Sequence, residues 1–199
     1  MPLITLLKSA ATLTIFITTT ILILNCNAIE PVNASSSSDR APYTLLDVKG
    51  KIVTTNARCA SIQSSDLTWE LKNDDGGIHD KDNVYRWGGN GAEKTGTIFF
   101  DDWNSLLNAT NTEKLCGFDD WRVPTIDELK TLATNTAARP TINPDIFQLT
   151  LESPYWSVST YQNYPEHAQT LDFTTGAAHY YNGFRGDRLP VRLVRSNKK

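Results

Sequence analysis

Cys116-Gly117-Phe118-Asp119-Asp120-Trp121-Arg122-Val123-Pro124-Thr125-Ile126-Asp127-Glu128-Leu129 is the stretch of this 199-residue chain that decides how the rest is read. Thr125 and Glu128 have the spacing of a capping box, in which hydroxyl and carboxylate each satisfy the other residue's backbone N–H. Pro124 stands just before that cap, as at many helix starts. Ile126, Leu129 and Leu132 then share one buried side, and Ala137-Ala138-Arg139-Pro140 lies past the helix end. Trp121 is placed to anchor a core, and Arg122 to pair with a neighbouring acid.

Working outward, residues 99–109 also have helical spacing. Phe99, Phe100, Trp103, Leu106 and Leu107 form one stripe, with Asp101 and Asp102 near the positive end of the helix dipole. Strand patterns flank the two helices. Tyr43 to Val48 and Lys51 to Thr55 read as a pair across a Lys49-Gly50 turn. Leu67 to Lys72 alternates strictly, which predicts a half-buried strand with Leu67, Trp69 and Leu71 inward. Beyond the helices, Tyr155 to Thr160, Thr170 to Thr174, Ala177 to Tyr181 and Leu189 to Arg195 read as strands. The five tryptophans, all between residues 69 and 156, predict one core. The expected fold class is α+β, with a mainly antiparallel sheet, two helices, and N- and C-terminal strands paired.

Composition sets further bounds. Apolar residues make up 40% and aromatics 10%, enough for a real core. The formal charge of -3 excludes the basic excess of a bulk nucleic-acid binder. Lys8 is the one charged residue of the first 28, and an apolar or hydroxylic run from Ala10 to Leu24 follows it. This fits a secretory signal peptide cleaved after Ala28, with no stable membrane span in the mature chain. The competing readings are an uncleaved anchor, for which the run is short of a span of about 20 residues, and a lipoprotein attached at Cys26, for which Asn25 fits poorly. Residues 29–42, with Pro31, Ser35-Ser36-Ser37-Ser38 and Pro42, read as a linker, and 43–196 as the folded domain. Asn33-Ala34-Ser35 and Asn108-Ala109-Thr110 match the N-glycosylation pattern.

An exported chain leaves Cys59 and Cys116 as the two cysteines of the domain. In an oxidising compartment they are expected to pair, stabilising the fold by about 4 kcal/mol through loop closure; the alternative is two separate buried thiols.

Several phrases together resemble one family: Leu67-Thr68-Trp69-Glu70, Asp80-Lys81-Asp82-Asn83-Val84-Tyr85-Arg86-Trp87, the Cys116–Leu129 stretch, Tyr155-Trp156-Ser157 and Val191-Arg192-Leu193-Val194-Arg195. They resemble the Lcl C-terminal domain family, named after a collagen-like bacterial surface adhesin, over roughly residues 43–196. Val123 stands where the family more often has Leu. The resemblance implies an exported bacterial domain of C-type-lectin-like shape, related to formylglycine-generating-enzyme-like folds; the named adhesin binds sulfated glycosaminoglycans. No collagen-like Gly-X-Y run precedes the domain in this sequence, so the adhesin's full architecture is not implied.

Catalytic motifs are scarce. Gly88 to Thr95 is glycine-rich, but Glu93 rather than Gly precedes Lys94-Thr95, so it is not a phosphate loop. His79, His167 and His179 are scattered and form no zinc pattern, and there is no Gly-x-Ser-x-Gly elbow. The formylglycine-generating relatives use a cysteine pair late in the domain, and this chain has no cysteine after Cys116. Calcium is the one cofactor the sequence leaves open, through Asp74, Asp75, Asp80 and Asp82. From Gly183 to Lys199, Arg185, Arg188, Arg192, Arg195, Lys198 and Lys199 face only Asp187. Arginine forks suit sulfate and carboxylate, and Tyr180, Tyr181 and Phe184 could stack on sugars. The expected ligand site is therefore Arg185, Arg188, Arg192 and Tyr181, for an anionic polysaccharide or an envelope component. The sequence reads as a non-enzymatic binding domain; the alternatives are an envelope module without glycan ligand and an enzyme on the related scaffold.

Overall fold

Cys59–Ile62 and Leu67–Glu70 are short runs whose side chains are almost all buried, and they form the middle of the largest sheet. The structure, a computed structural model, describes residues 43–88, 102–164 and 166–198. The expected leader at 1–28 and expected linker at 29–42, Phe99 to Asp101 of the first expected helix, and the glycine-rich stretch after Gly88 lie outside the described residues.

The elements in chain order are β1 (Tyr43–Leu46), β2 (Cys59–Ile62), β3 (Leu67–Glu70), β4 (Val84–Tyr85), α1 (Asn104–Glu113), α2 (Ile126–Lys130), β5 (Pro154–Thr160), β6 (His167–Asp172), β7 (Ala177–Phe184), β8 (Leu189–Pro190) and β9 (Val194–Ser196). They make three antiparallel sheets, ordered β1-β2-β3-β9, β4-β8 and β5-β6-β7. A small, mainly antiparallel α+β domain with two helices is therefore what the chain forms.

Several expectations need correction. The partner of β1 is β2, not residues 51–55, which keep a single bridge, Leu46 to Ile52. Residues 51–55 are largely exposed, whereas β2 offers an apolar face and the Cys59 tether. The terminal strands share a sheet but do not pair, since β2 and β3 separate β1 from β9. The expected strand from Leu189 to Arg195 is divided between two sheets, with Val191, Arg192 and Leu193 buried in the crossing. β3 is buried on both faces rather than one, because Thr68 and Glu70 are covered about as fully as Trp69, and Lys72 just beyond it is buried too.

Two apolar clusters replace the expected single core. Trp87, Trp103, Trp121 and Trp156 surround the disulfide in one. Trp69, Leu129, Phe147, Tyr155 and Phe173 belong to the other.

The opening stretch behaves as read. Thr125 Oγ1 accepts the Glu128 N–H at 3.2 Å, and Glu128 Oε2 accepts the Thr125 N–H at 2.9 Å. Arg122 forks onto the same carboxylate at 2.7 and 2.5 Å, holding Glu128 below the usual carboxylate range. Trp121 is buried and its indole N–H donates to the Leu115 carbonyl. In α1, Trp103 and Leu106 are buried, Asp102 accepts the Asn104 N–H, and the helix runs to Glu113. The Asn108 glycosylation pattern thus falls in a helix, with Thr110 buried and its hydroxyl donated to the Leu106 carbonyl.

Cys59 and Cys116 form a disulfide with Cα atoms 6.5 Å apart, tying β2 to the turn after α1. Gly50 packs against that turn at φ +81°, where a Cβ would lie 2.5 Å from the Cys116 carbonyl oxygen. Replacing both cysteines with serine is expected to lower the unfolding free energy by about 4 kcal/mol, read by urea denaturation. An unchanged midpoint would contradict a stabilising bridge.

Candidate functional site

The alternation of β3 places Glu70 opposite Cys59 and away from Trp69. Its side chain is fully buried, so its charge requires partners. Lys72 Nζ donates to Oε1 at 3.0 Å, His79 Nδ1 lies 2.7 Å from the same oxygen, and the Leu193 N–H donates to Oε2 at 2.9 Å. His79 Nε2 reaches Glu113 Oε1, at the end of α1, at 2.5 Å. Arg192 donates to the Glu70 carbonyl and to Thr150 Oγ1, both at 2.8 Å.

Burial alone would raise the Glu70 carboxyl, but Lys72, His79 and the Leu193 N–H hold it at about 2. Burial would lower His79, and the two carboxylates outweigh it, raising the imidazole above its ordinary value. Both ring nitrogens thus act as donors. Burial pushes Lys72 down, against the pull of Glu70. These groups, Glu113 excepted, have side chains at most 3% exposed, which suits a clamp between strand, loop and helix.

The acidic loop after β3 is organised by its own lysine. Asp74, Asp80 and Asp82 bring carboxylate oxygens within 4.8 Å of one another. Lys81 Nζ bridges Asp74 at 3.1 Å and Asp82 at 2.6 Å, placing one positive charge among the carboxylates. Asp80 accepts the Gly76 and Asp82 N–H groups, which keep its carboxyl low. Asp75 turns instead to Asn73 and the Gly77 N–H.

The basic C-terminal run does not form the expected surface. Arg192 is corrected from ligand contact to core residue, being 1% exposed and bound to Glu70 and Thr150. Arg195 lies 3.8 Å over the Phe118 ring and forks onto Asp120. Only Arg188 of the expected arginines is exposed, in the turn between β7 and β8. The Tyr181 side chain lies outside the described residues. Arginine satisfies several carbonyls and carboxylates at once, which is why this run could be drawn inside.

Arg185 differs from its neighbours. It is 1% exposed, with its guanidinium 4.0 Å over the Trp87 ring and Nε donating to the His167 carbonyl at 3.3 Å. Both terminal nitrogens, and His167 Nδ1, are buried with no hydrogen-bond partner among the described residues. Burial lowers the guanidinium, and Glu166 restores only part of the loss. Alongside runs an aromatic row that the sequence reading missed. Tyr161 and Tyr164 stack at 5.7 Å, Tyr164 meets His167 edge-on, and His167 meets Phe184. Tyr164 and Phe184 are about half exposed. The signal was two tyrosines bracketing Gln162-Asn163 in a hairpin turn.

Fold and site define a disulfide-closed α+β domain with a buried ionic clamp and an aromatic, cationic sheet end. The chain belongs to the Lcl C-terminal domain family, whose model matches residues 60–195, and which is a domain of exported proteins. No curated protein and no solved structure matches the chain. No helix among the described residues is long and apolar enough to cross a membrane.

Glu70→Gln should cost about 3–5 kcal/mol, because it leaves Lys72 and His79 buried without their counter-charge; adding Lys72→Met should recover part of that loss. The wild-type stability curve should peak between about pH 4.5 and 6.5. The Glu70 contribution is full above its unfolded value and fades as pH falls toward 2. The His79 contribution is full below its unfolded value and fades as pH rises through its elevated folded value. Urea titrations across pH check both arms; a curve still rising from pH 6 to 9 would contradict the His79 assignment.

Proposed function

We propose that this chain is an exported, non-enzymatic binding domain with a C-type-lectin-like arrangement, working in the periplasm, on the outer surface or outside the cell. Its ligand is an anionic glycan, received at Arg185. One observation carries the reading: a buried guanidinium whose two terminal nitrogens have no partner among the described residues. Leaving such donors unmade costs on the order of 1–3 kcal/mol, more for a charged group. A fold that keeps this cost gains from an oxyanion that arrives later.

A sulfate or uronate carboxylate matches the two free nitrogens of the fork. Trp87 holds the guanidinium plane from one side. The exposed Arg188 adds a second cation at the turn that follows. Phe184, about half exposed, offers an apolar face to a sugar ring. Family membership supports the exported setting. Of the expected contacts, Arg185, Arg188 and Tyr181 stay in this reading, and the core residue Arg192 leaves it.

Arg185→Met tests the reading, because it separates stability from binding. Methionine covers Trp87 without carrying an unpaired charge, so the variant should melt at a higher temperature than the wild type. On a heparin column its retention should fall to that of an uncharged control protein. Unchanged retention would defeat the glycan reading and favour an envelope module that contacts protein.

A further inference from the structure

At the β5–β6 turn lies an open cleft of 310 Å³, lined by Thr160, Tyr161, Gln162, Asn163 and Gln169. We propose that it is a subsite for one neutral pyranose unit, separate from the oxyanion contact at Arg185 and not dependent on it.

The lining carries no charged side chain, so nothing in it selects for an anion. Its three amides each present both a donor and an acceptor, as a ring of sugar hydroxyls does. Gln162 and Asn163 are exposed, and neither side chain makes a hydrogen bond among the described residues. The volume stands at the low end of small-ligand sites, which suits a single sugar ring better than a larger apolar ligand.

The backbone aims the third amide. The β5–β6 register shifts between Trp156 and Thr160, and the β6–β7 register between Ala168 and Thr170. Gln169 is the residue passed over on β6. Such irregularities commonly redirect a side chain beside a binding site. Here Gln169 Nε2 donates to the Thr160 carbonyl at 3.0 Å, while Ser157 Oγ donates to the Gln169 backbone carbonyl at 2.7 Å. The amide is thus held across the cleft wall with Oε1 left to accept from a ligand hydroxyl.

The aromatic component is also in place. Tyr161 lines the cleft, and Tyr164 lies against it with the two rings 11° from parallel. Tyr164 is 52% exposed, a high value for a ring already stacked. Aromatic faces of this kind take the C–H face of a pyranose, while the amides take its rim.

The test is a side-chain amide NMR titration of the full chain with methyl glycosides of glucose, galactose, mannose and N-acetylglucosamine, and with methyl glucuronide as the charged comparison. Saturable shifts of the Gln162, Asn163 and Gln169 amides are expected with at least one neutral glycoside, with a millimolar dissociation constant that about 0.5 M salt does not change. Tyr164→Ala should weaken that binding about tenfold, and Gln162→Ala should weaken it too, whereas Arg185→Met should leave it unaltered. No saturable shift with any neutral glycoside overturns the proposal. Shifts with the glucuronide alone, lost in Arg185→Met, overturn it as well while sparing the arginine reading.

Discussion

The Glu70 carboxylate is the point on which distant parts of the chain converge. It binds the loop after β3 through His79, the crossing before β9 through the Leu193 N–H, and its own strand through Lys72. Through His79 it reaches Glu113, the last residue of α1. Three residues later Cys116 makes the covalent link to Cys59, which is the β-partner of Glu70. The end of α1 is therefore fastened twice to the same place on the sheet, once by charge and once by sulfur. The ionic fastening depends on protonation, and the covalent one does not.

This arrangement accounts for the division of the arginines. Interior sites take Arg192, which satisfies the Glu70 carbonyl and the Thr150 hydroxyl, and Arg195, which reaches out to the half-exposed Asp120 carboxylate. The three-stranded sheet meets the clamp at Tyr155, whose ring centroid lies 6.0 Å from the Arg192 guanidinium. Its β5–β6 turn presents tyrosines and amides, whereas the residue following its last strand holds a buried guanidinium whose terminal nitrogens have no hydrogen-bond partner among the described residues.

What could be read from the sequence follows from how local each cause is. The capping box at Thr125 and Glu128, the Trp121 anchor and the cysteine pair rest on short patterns or on chemistry that excludes alternatives, and all appear as expected. The strand alternation at Leu67 to Lys72 also holds, but not its half-burial. Period two says which residues share a face and nothing about whether the second face is covered. The last strand looked continuous because Leu189, Val191 and Leu193 alternate; in the structure Leu189 pairs with β4 and Val194 with β3, and Glu70 holds the Leu193 N–H in the crossing between them. The arginine run misled for a related reason. Charge density along a sequence does not state which side of a backbone faces a buried carboxylate. His79, placed by a contact across nine residues on one side and 34 on the other, had no local signature at all.

The account depends on Glu70 being ionised in the interior at every pH where the domain is folded. A carbon-13 NMR titration that follows the Glu70 side-chain carboxyl carbon tests this most directly. The carboxyl should show no transition near 4.5 and should begin to protonate only as pH approaches about 2, together with loss of the folded spectrum. A reversible midpoint at or above 4.5 in the folded protein would contradict the clamp as described.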